Sequence, residues 1–147
     1  DRFESRGLGD VYKRQVLSQV IVSYVEQHYP ELIMLAPVLS ELAKASQTAG
    51  LVTALEVFAD RTYEDDGTLT PRSIEGSLIT DPLQVNNHVK NMIEEKAIIS
   101  RSGKKLPTTF HSICLHSDTP NSVEISNQIC ILLRSMGVQQ QTLPELF

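Results

Sequence analysis

Two short stretches carry the side chains that could do chemistry. In the first, Glu56, Val57, Phe58, Ala59, Asp60, Arg61, Thr62 and Tyr63 follow one another. Glu56 falls inside an apolar, β-branched run, where an unpaired carboxylate is costly, so it must meet a cation or line a cavity. Asp60 and Arg61 come where that run ends. A structural ion pair of Glu56 or Asp60 with Arg61 or Arg72 fits these residues, and so does the wall of a functional site. Tyr63 could donate a hydrogen bond to a substrate, and as a lone aromatic is as often a packing residue. In the second stretch, Cys114, Leu115, His116, Ser117 and Asp118, two-residue alternation puts Cys114, His116 and Asp118 on one face while strand geometry lasts. Such a face could bind metal or shuttle protons. A cysteine in this setting is more often a packed thiol, which leaves His116 with Asp118 as the better pair. Of the other histidines, His28 and His88 fall on helical patterns and read as surface or interface residues, and His111 is left open. No glycine-rich phosphate loop, Ser-His-Asp arrangement or Cys-x-x-Cys pair occurs, so the sequence holds no self-contained active site.

The surrounding pattern says what must position these residues. Leu17, Val20, Ile21, Tyr24, Val25 and His28 recur at helical steps and predict an amphipathic helix ending before Pro30. Residues 32–35 read as a strand buried on both faces, residues 39–49 as a helix ending at Gly50, and residues 52–58 as a second strand. That alternation marks a parallel α/β architecture. Residues 59–80 are a long polar loop of the kind that is usually functional. Asp81, Pro82 and Gln84 supply an N-cap, a first-turn proline and a capping-box partner for a helix whose Val85, Val89, Met92 and Ile93 face inward. Residues 97–106 predict a small hairpin. Residues 112–115 read as the next buried strand, and residues 121–136 as a helix capped by Asn121 with Glu124 and stopped by Gly137. In parallel α/β folds the ligand site lies beyond the carboxyl ends of the strands, where both chemical stretches fall.

Composition excludes several classes. The 147 residues are 41% hydrophobic and 21% charged, as expected of one globular domain or part of a larger one. A net charge of -5 disfavours nucleic acid and anionic membrane as partners. The longest apolar run, residues 32–39, contains Pro37 and falls far short of the roughly 18–20 residues that cross a bilayer. Two cysteines are too few to staple a secreted fold, which points to a reducing, cytoplasmic setting. The stretch from Ser5 to Gln15 resembles the in-frame translation of a transposon adapter used in sequencing libraries. Residues 1–15 are therefore read as a non-native leader, with a domain over 16–138 and a loose tail over 139–147.

Glu56 to Tyr63, continued by Asp66, Gly67, Thr68 and Leu69, then Pro71, Arg72, Ser73 and Gly76, closely resembles the LamB/YcsF family, which includes the A component of 5-oxoprolinase. Ile113, Cys114, Leu115, His116, Ser117 and Asp118, followed by Pro120 and Asn121, resemble the family's last strand and its Cys-x-His-Gly-Asp-x-Pro motif. The resemblance implies an α/β fold that is the C-terminal half of a (β/α) barrel of the glycoside hydrolase/deacetylase type, truncated. It implies an ATP-dependent opening of the lactam 5-oxoproline to L-glutamate, with Mg as counter-ion and subunits B and C as partners. On matching positions, Glu56 and Asp60 become candidate acid/base or orienting carboxylates. Arg61 and Arg72 become candidate anchors for carboxylate or phosphate, and His116 with Asp118 a candidate proton-transfer or metal-orienting pair. Ser117 stands where the family usually has glycine, a departure that bears on the site geometry if that glycine serves close backbone approach or positive φ; the family's N-terminal motifs are missing, which implies that this chain alone is inactive. A metal-dependent deacetylase of carbohydrate or amide substrates is the alternative within enzymes, and a non-catalytic binding or regulatory subunit the alternative outside them.

Overall fold

The computed structural model describes residues 2–147, with side chains described from residue 14 onward. The proposed leader over 1–15 lies almost wholly outside the residues whose side chains are described. The chain runs α1 (Arg2–His28), β1 (Met34–Pro37), α2 (Glu41–Thr48), β2 (Thr53–Phe58), α3 (Pro82–Glu95), β3 (Ala97–Ile99), β4 (Lys105–Pro107), β5 (Ser112–Cys114), α4 (Ser122–Ser135) and α5 (Leu143–Leu146). β1, β2 and β5 form a parallel sheet in that order, with β2 in the centre, and β3 and β4 pair as the expected antiparallel hairpin. In register, Met34 faces Thr53 and Pro37 faces Glu56, while Glu56 faces Ser112 and Phe58 faces Cys114. Pro37 is tolerated because β1 is an edge strand, where a missing N–H costs no ladder bond.

One face of the sheet is covered by two helices. Val85, Val89 and Met92 of α3 and Ile125, Ile129 and Leu133 of α4 close with Val57 and Ile98 into one cluster. Their spacing of three and four residues is that of a buried helical stripe. Complete burial of a side chain such as Val89 or Val57 contributes about 1.5–3 kcal/mol each. α3 starts with the cap and the proline read from sequence, the Asp81 carboxylate accepting from the N–H of Gln84 at 2.9 Å, while the Gln84 side chain does not close the capping box. α4 ends as read, too. Gly137 has φ 73°, Val138 donates to the Leu133 carbonyl and Gly137 to that of Arg134, a Schellman closure.

Three expectations need correction, the first being that residues 32–35 form a strand buried on both faces: β1 runs over Met34–Pro37 and leaves Leu35 45% exposed. Asn121 does not cap α4 with its side chain; a turn bonding Ser122 N to Thr119 O puts it at φ 62°, outside the extended geometry that a side-chain cap needs, and Glu124 instead accepts from Gln128. The apolar stripe of α1 does not face the core. The helix packs on α2 and buries Ser18 and Val22, leaving Leu17 61%, Val20 62% and Tyr24 56% exposed, because no second described layer covers that side. In the tail, Thr142 and Glu145 form a capping box for the single turn of α5, and the Phe147 ring lies 5.0 Å from that of His111. No helix among the described residues is long and apolar enough to cross a membrane.

One glycine is demanded by a close approach. Gly67 has φ +85°, and a Cβ there would lie 2.9 Å from Leu39 Cδ1 and 3.1 Å from its Cβ. Gly67→Ala is expected to cost about 1–3 kcal/mol, read as a lower urea midpoint at unchanged slope. A variant as stable as the parent would show that the loop yields there freely.

Candidate active site

The alternation of β2 separates its two faces. Val57 points to the helices, so Glu56 and Phe58 point away from them, beside their register partners Ser112 and Cys114. On this open face the Ser112 hydroxyl donates to Glu56 Oε1 at 2.9 Å. Cys114 is pushed up from its usual range by burial and by the charges of Glu56 and Asp60, which keeps it a thiol and a poor nucleophile.

Where the two strands run out, Asp60 is fully buried and collects donors from the chain after β5. The Thr119 hydroxyl donates to Oδ2 at 2.5 Å and the His116 N–H to the same oxygen at 3.3 Å. His116 Nδ1 stands 2.9 Å from Oδ1 and 3.0 Å from Oδ2. A carboxylate can only accept, so the pairing assigns a proton to Nδ1, and Nε2 is the ring nitrogen left without a partner in the chain. The ring stacks on Phe58 at 5.7 Å and 10°, and His116 lines a hollow of about 320 Å³ with Ser117, Ser122 and Asn127. A buried carboxylate orienting an accessible imidazole is a general-base arrangement.

His116 therefore pairs with Asp60 and not with Asp118. β5 ends at Cys114, so the two-residue alternation stops before it reaches Asp118, which instead meets Arg72 at 3.6 Å with both side chains more than half exposed. An exposed pair of this kind contributes at most about 1 kcal/mol. For the same reason Cys114, His116 and Asp118 do not form a metal face: among the described residues no group of three or more His, Cys, Asp or Glu side chains comes together. The ion pair expected of Glu56 or Asp60 with Arg61 or Arg72 is also not what forms. Arg61 is 7% exposed, and its guanidinium donates to the carbonyls of Thr70 at 2.7 Å and Ser77 at 3.3 Å. It is the post around which residues 59–80 fold, aided by Thr62 donating to Gly76. Tyr63 takes the packing place of the two open to it. It is 2% exposed, its hydroxyl accepts from the Phe58 N–H at 2.8 Å, and burial raises its pKa far above the usual range. Ser117 has no positive φ, so the backbone there makes no demand for glycine.

His88 is the residue that sequence reading missed. It stacks on Tyr63 at 6.3 Å and 29°, and its Nε2 is shut from solvent. Burial holds its pKa below the ordinary 6.5, opposed by the backbone of Phe58 and Arg61 and by the charge of Asp60. The unfolded chain therefore takes up this proton at higher pH than the folded one, and stability falls as pH drops below about 6.5. The urea midpoint is expected to fall further between about pH 7.5 and about pH 5.5 in the parent than in His88→Gln. Equal falls would show that His88 titrates normally.

A larger cavity, about 720 Å³, lies elsewhere, beside the β5 edge between α3, α4 and the tail, and includes none of Glu56, Asp60 or His116.

Comparison with known proteins gives this geometry a setting. The family model described as LamB/YcsF family matches residues 9–147. The chain is 42% identical over 113 residues to the A component of 5-oxoprolinase from Coprothermobacter proteolyticus, covering 77% of this chain and 43% of that protein. It is 39% identical over 130 residues to the same component from an Azoarcus species, covering 88% and 51%. The crystal structure of a lactam utilization protein from Thermus thermophilus is similar with a TM-score of 0.74 and 27% identity, over 86% of this chain and 50% of that one. The chain thus spans about half the length of the curated relatives it matches.

Proposed function

The chain belongs to the LamB/YcsF family, and on that footing we propose that it supplies the proton-transfer part of a lactam-opening active site, in a 5-oxoprolinase that converts 5-oxo-L-proline to L-glutamate with ATP and with subunits B and C. The observation that carries this reading is the buried Asp60 carboxylate holding His116 by Nδ1. His116 Nε2 takes a proton from water as the water oxygen bonds to the lactam carbonyl carbon. The imidazolium that forms is stabilised by Asp60, and the same proton passes to the ring nitrogen as the C–N bond breaks, leaving a carboxylic acid and an amine, between which proton exchange gives carboxylate and ammonium. A positioned base of this kind contributes about 10²–10⁴-fold. Glu56, fixed by Ser112 on the same face, is placed to orient water or the substrate's N–H.

A five-membered lactam is more stable than its opened product, which is why coupling to ATP suits the reaction. The described residues do not by themselves fit a nucleotide: Arg61 is taken up by loop carbonyls, and Arg72 lies in solvent against Asp118. In this reading the nucleotide and its Mg bind outside them. The rest of the pocket belongs, in this proposal, to the part of the relatives' length that this chain does not span. The sheet is open at β1 and at β5, and an apolar stripe on α1 is uncovered, as befits part of a larger β/α barrel that is inactive alone. The test is 5-oxoproline-dependent ATP cleavage by a complete protein carrying this segment together with its partner subunits. Cleavage that depends on the lactam supports the reading. Deacetylation without ATP, by a protein that purifies with stoichiometric zinc, would replace it with the deacetylase alternative.

A further inference from the structure

Thr119 is bonded directly to both halves of the dyad. Its hydroxyl donates to Asp60 Oδ2 at 2.5 Å, and its N–H donates to the His116 carbonyl at 3.3 Å. Its own carbonyl accepts from the Ser122 N–H at 3.1 Å, where α4 begins. One buried residue thus ties the Asp60 side chain, the backbone of His116 and the first turn of α4 into one unit.

The hydroxyl has a task that the other donors leave undone. Asp60 is fully buried, and a buried carboxylate that lacks donors is costly to keep ionised. Besides the imidazole, the other donor to Oδ2 among the described residues is the His116 N–H at 3.3 Å, longer than the usual range. His116 Nδ1 stands at 2.9 Å from one oxygen and 3.0 Å from the other, so the ring itself does not select a rotation of the carboxylate. A short bond from one side, to one oxygen, does. Threonine suits the place, because a β-branched side chain is stiff about χ1 and holds its hydroxyl in one direction. Valine would fill the same space without a polar atom, so packing alone does not account for the hydroxyl.

We propose that Thr119 is a positioning residue: its hydroxyl sets the rotation of the Asp60 carboxylate, so that His116 Nδ1–H meets its acceptor in a single geometry. The proposal rests on the reading of Asp60 and His116 as the proton-transfer pair.

The test is NMR of the ¹⁵N,¹³C-labelled chain. An Nδ1–H held by a buried carboxylate is protected from exchange and resonates downfield, and its loss in His116→Gln assigns it to His116. In Thr119→Val the resonance is expected to broaden beyond detection while the circular dichroism spectrum stays that of the parent. In Thr119→Ser, which restores the hydroxyl, it is expected to persist. An unchanged resonance in the valine variant overturns the proposal and leaves the dyad standing, and so does its loss in the serine variant. If the valine variant does not fold, the parent still decides. The Thr119 hydroxyl proton must exchange slowly enough to be seen bonded to its own oxygen, and exchange at the rate of a free hydroxyl overturns the proposal. No downfield resonance in the parent overturns the dyad itself, and this inference with it.

Discussion

Asp60→Asn is expected to lower lactam-dependent turnover of the complete enzyme about 10³–10⁴-fold with little change in KM. Asparagine keeps the shape of the side chain and one acceptor oxygen, so Thr119 and the His116 N–H retain a partner. What changes is the face shown to Nδ1. An amide nitrogen there repels Nδ1–H and favours the tautomer with the proton on Nε2, which removes the base from the side that the substrate approaches. The charge that would stabilise the imidazolium is lost as well. The measurement is steady-state 5-oxoproline-dependent ATP cleavage, with circular dichroism to confirm the fold. Turnover within a few-fold of the parent would favour a non-catalytic role, because a chain that only scaffolds its partners has no use for this carboxylate.

The second large effect is on stability. Arg61→Met is expected to cost about 2–4 kcal/mol, because it leaves the carbonyls of Thr70 and Ser77 buried without their charged donor. Thr70 is completely buried and Ser77 is 3% exposed, so water cannot readily replace the guanidinium. Arg61→Lys is expected to lose less, but not nothing, since one ammonium does not span two carbonyls as the planar fork does. Urea unfolding of the three proteins checks this order. A methionine variant as stable as the parent would mean that the loop over residues 59–80 does not depend on its central cation.

Much of the scaffold could be read from residue order because its causes are local. The cap at Asp81, the stop at Gly137, the hairpin over residues 97–106 and the alternation of helix and strand each depend on neighbours a few positions apart. The candidate residues were legible by type and place: Glu56 lies on β2, and Asp60 and His116 lie just beyond strand ends, where parallel sheets put their chemistry. Their pairing was not legible. Asp60 and His116 are 56 residues apart and meet only because β5 lies beside β2 in one particular register. Local alternation offered Asp118 to His116 instead, and it failed because the strand ends two residues before His116. Arg61 was a candidate ligand anchor through the family resemblance alone, and the sequence does not show the carbonyls that a folded loop turns toward it. His88 read as a surface residue because a helical pattern dominated by Val85, Val89 and Met92 does not reveal that Tyr63 will lie against the helix. α1 shows the opposite failure: its stripe is legible, but what covers it is not among the described elements.

The most direct test is a double-mutant cycle on turnover with Asp60→Asn, His116→Gln and the two combined, in the complete enzyme with its partner subunits. A carboxylate that acts only through the imidazole adds nothing once that imidazole is gone, so the double variant is expected to match His116→Gln within a few-fold. Losses that multiply, so that the double variant falls by the product of the two single factors, would contradict a dyad and show two residues working independently.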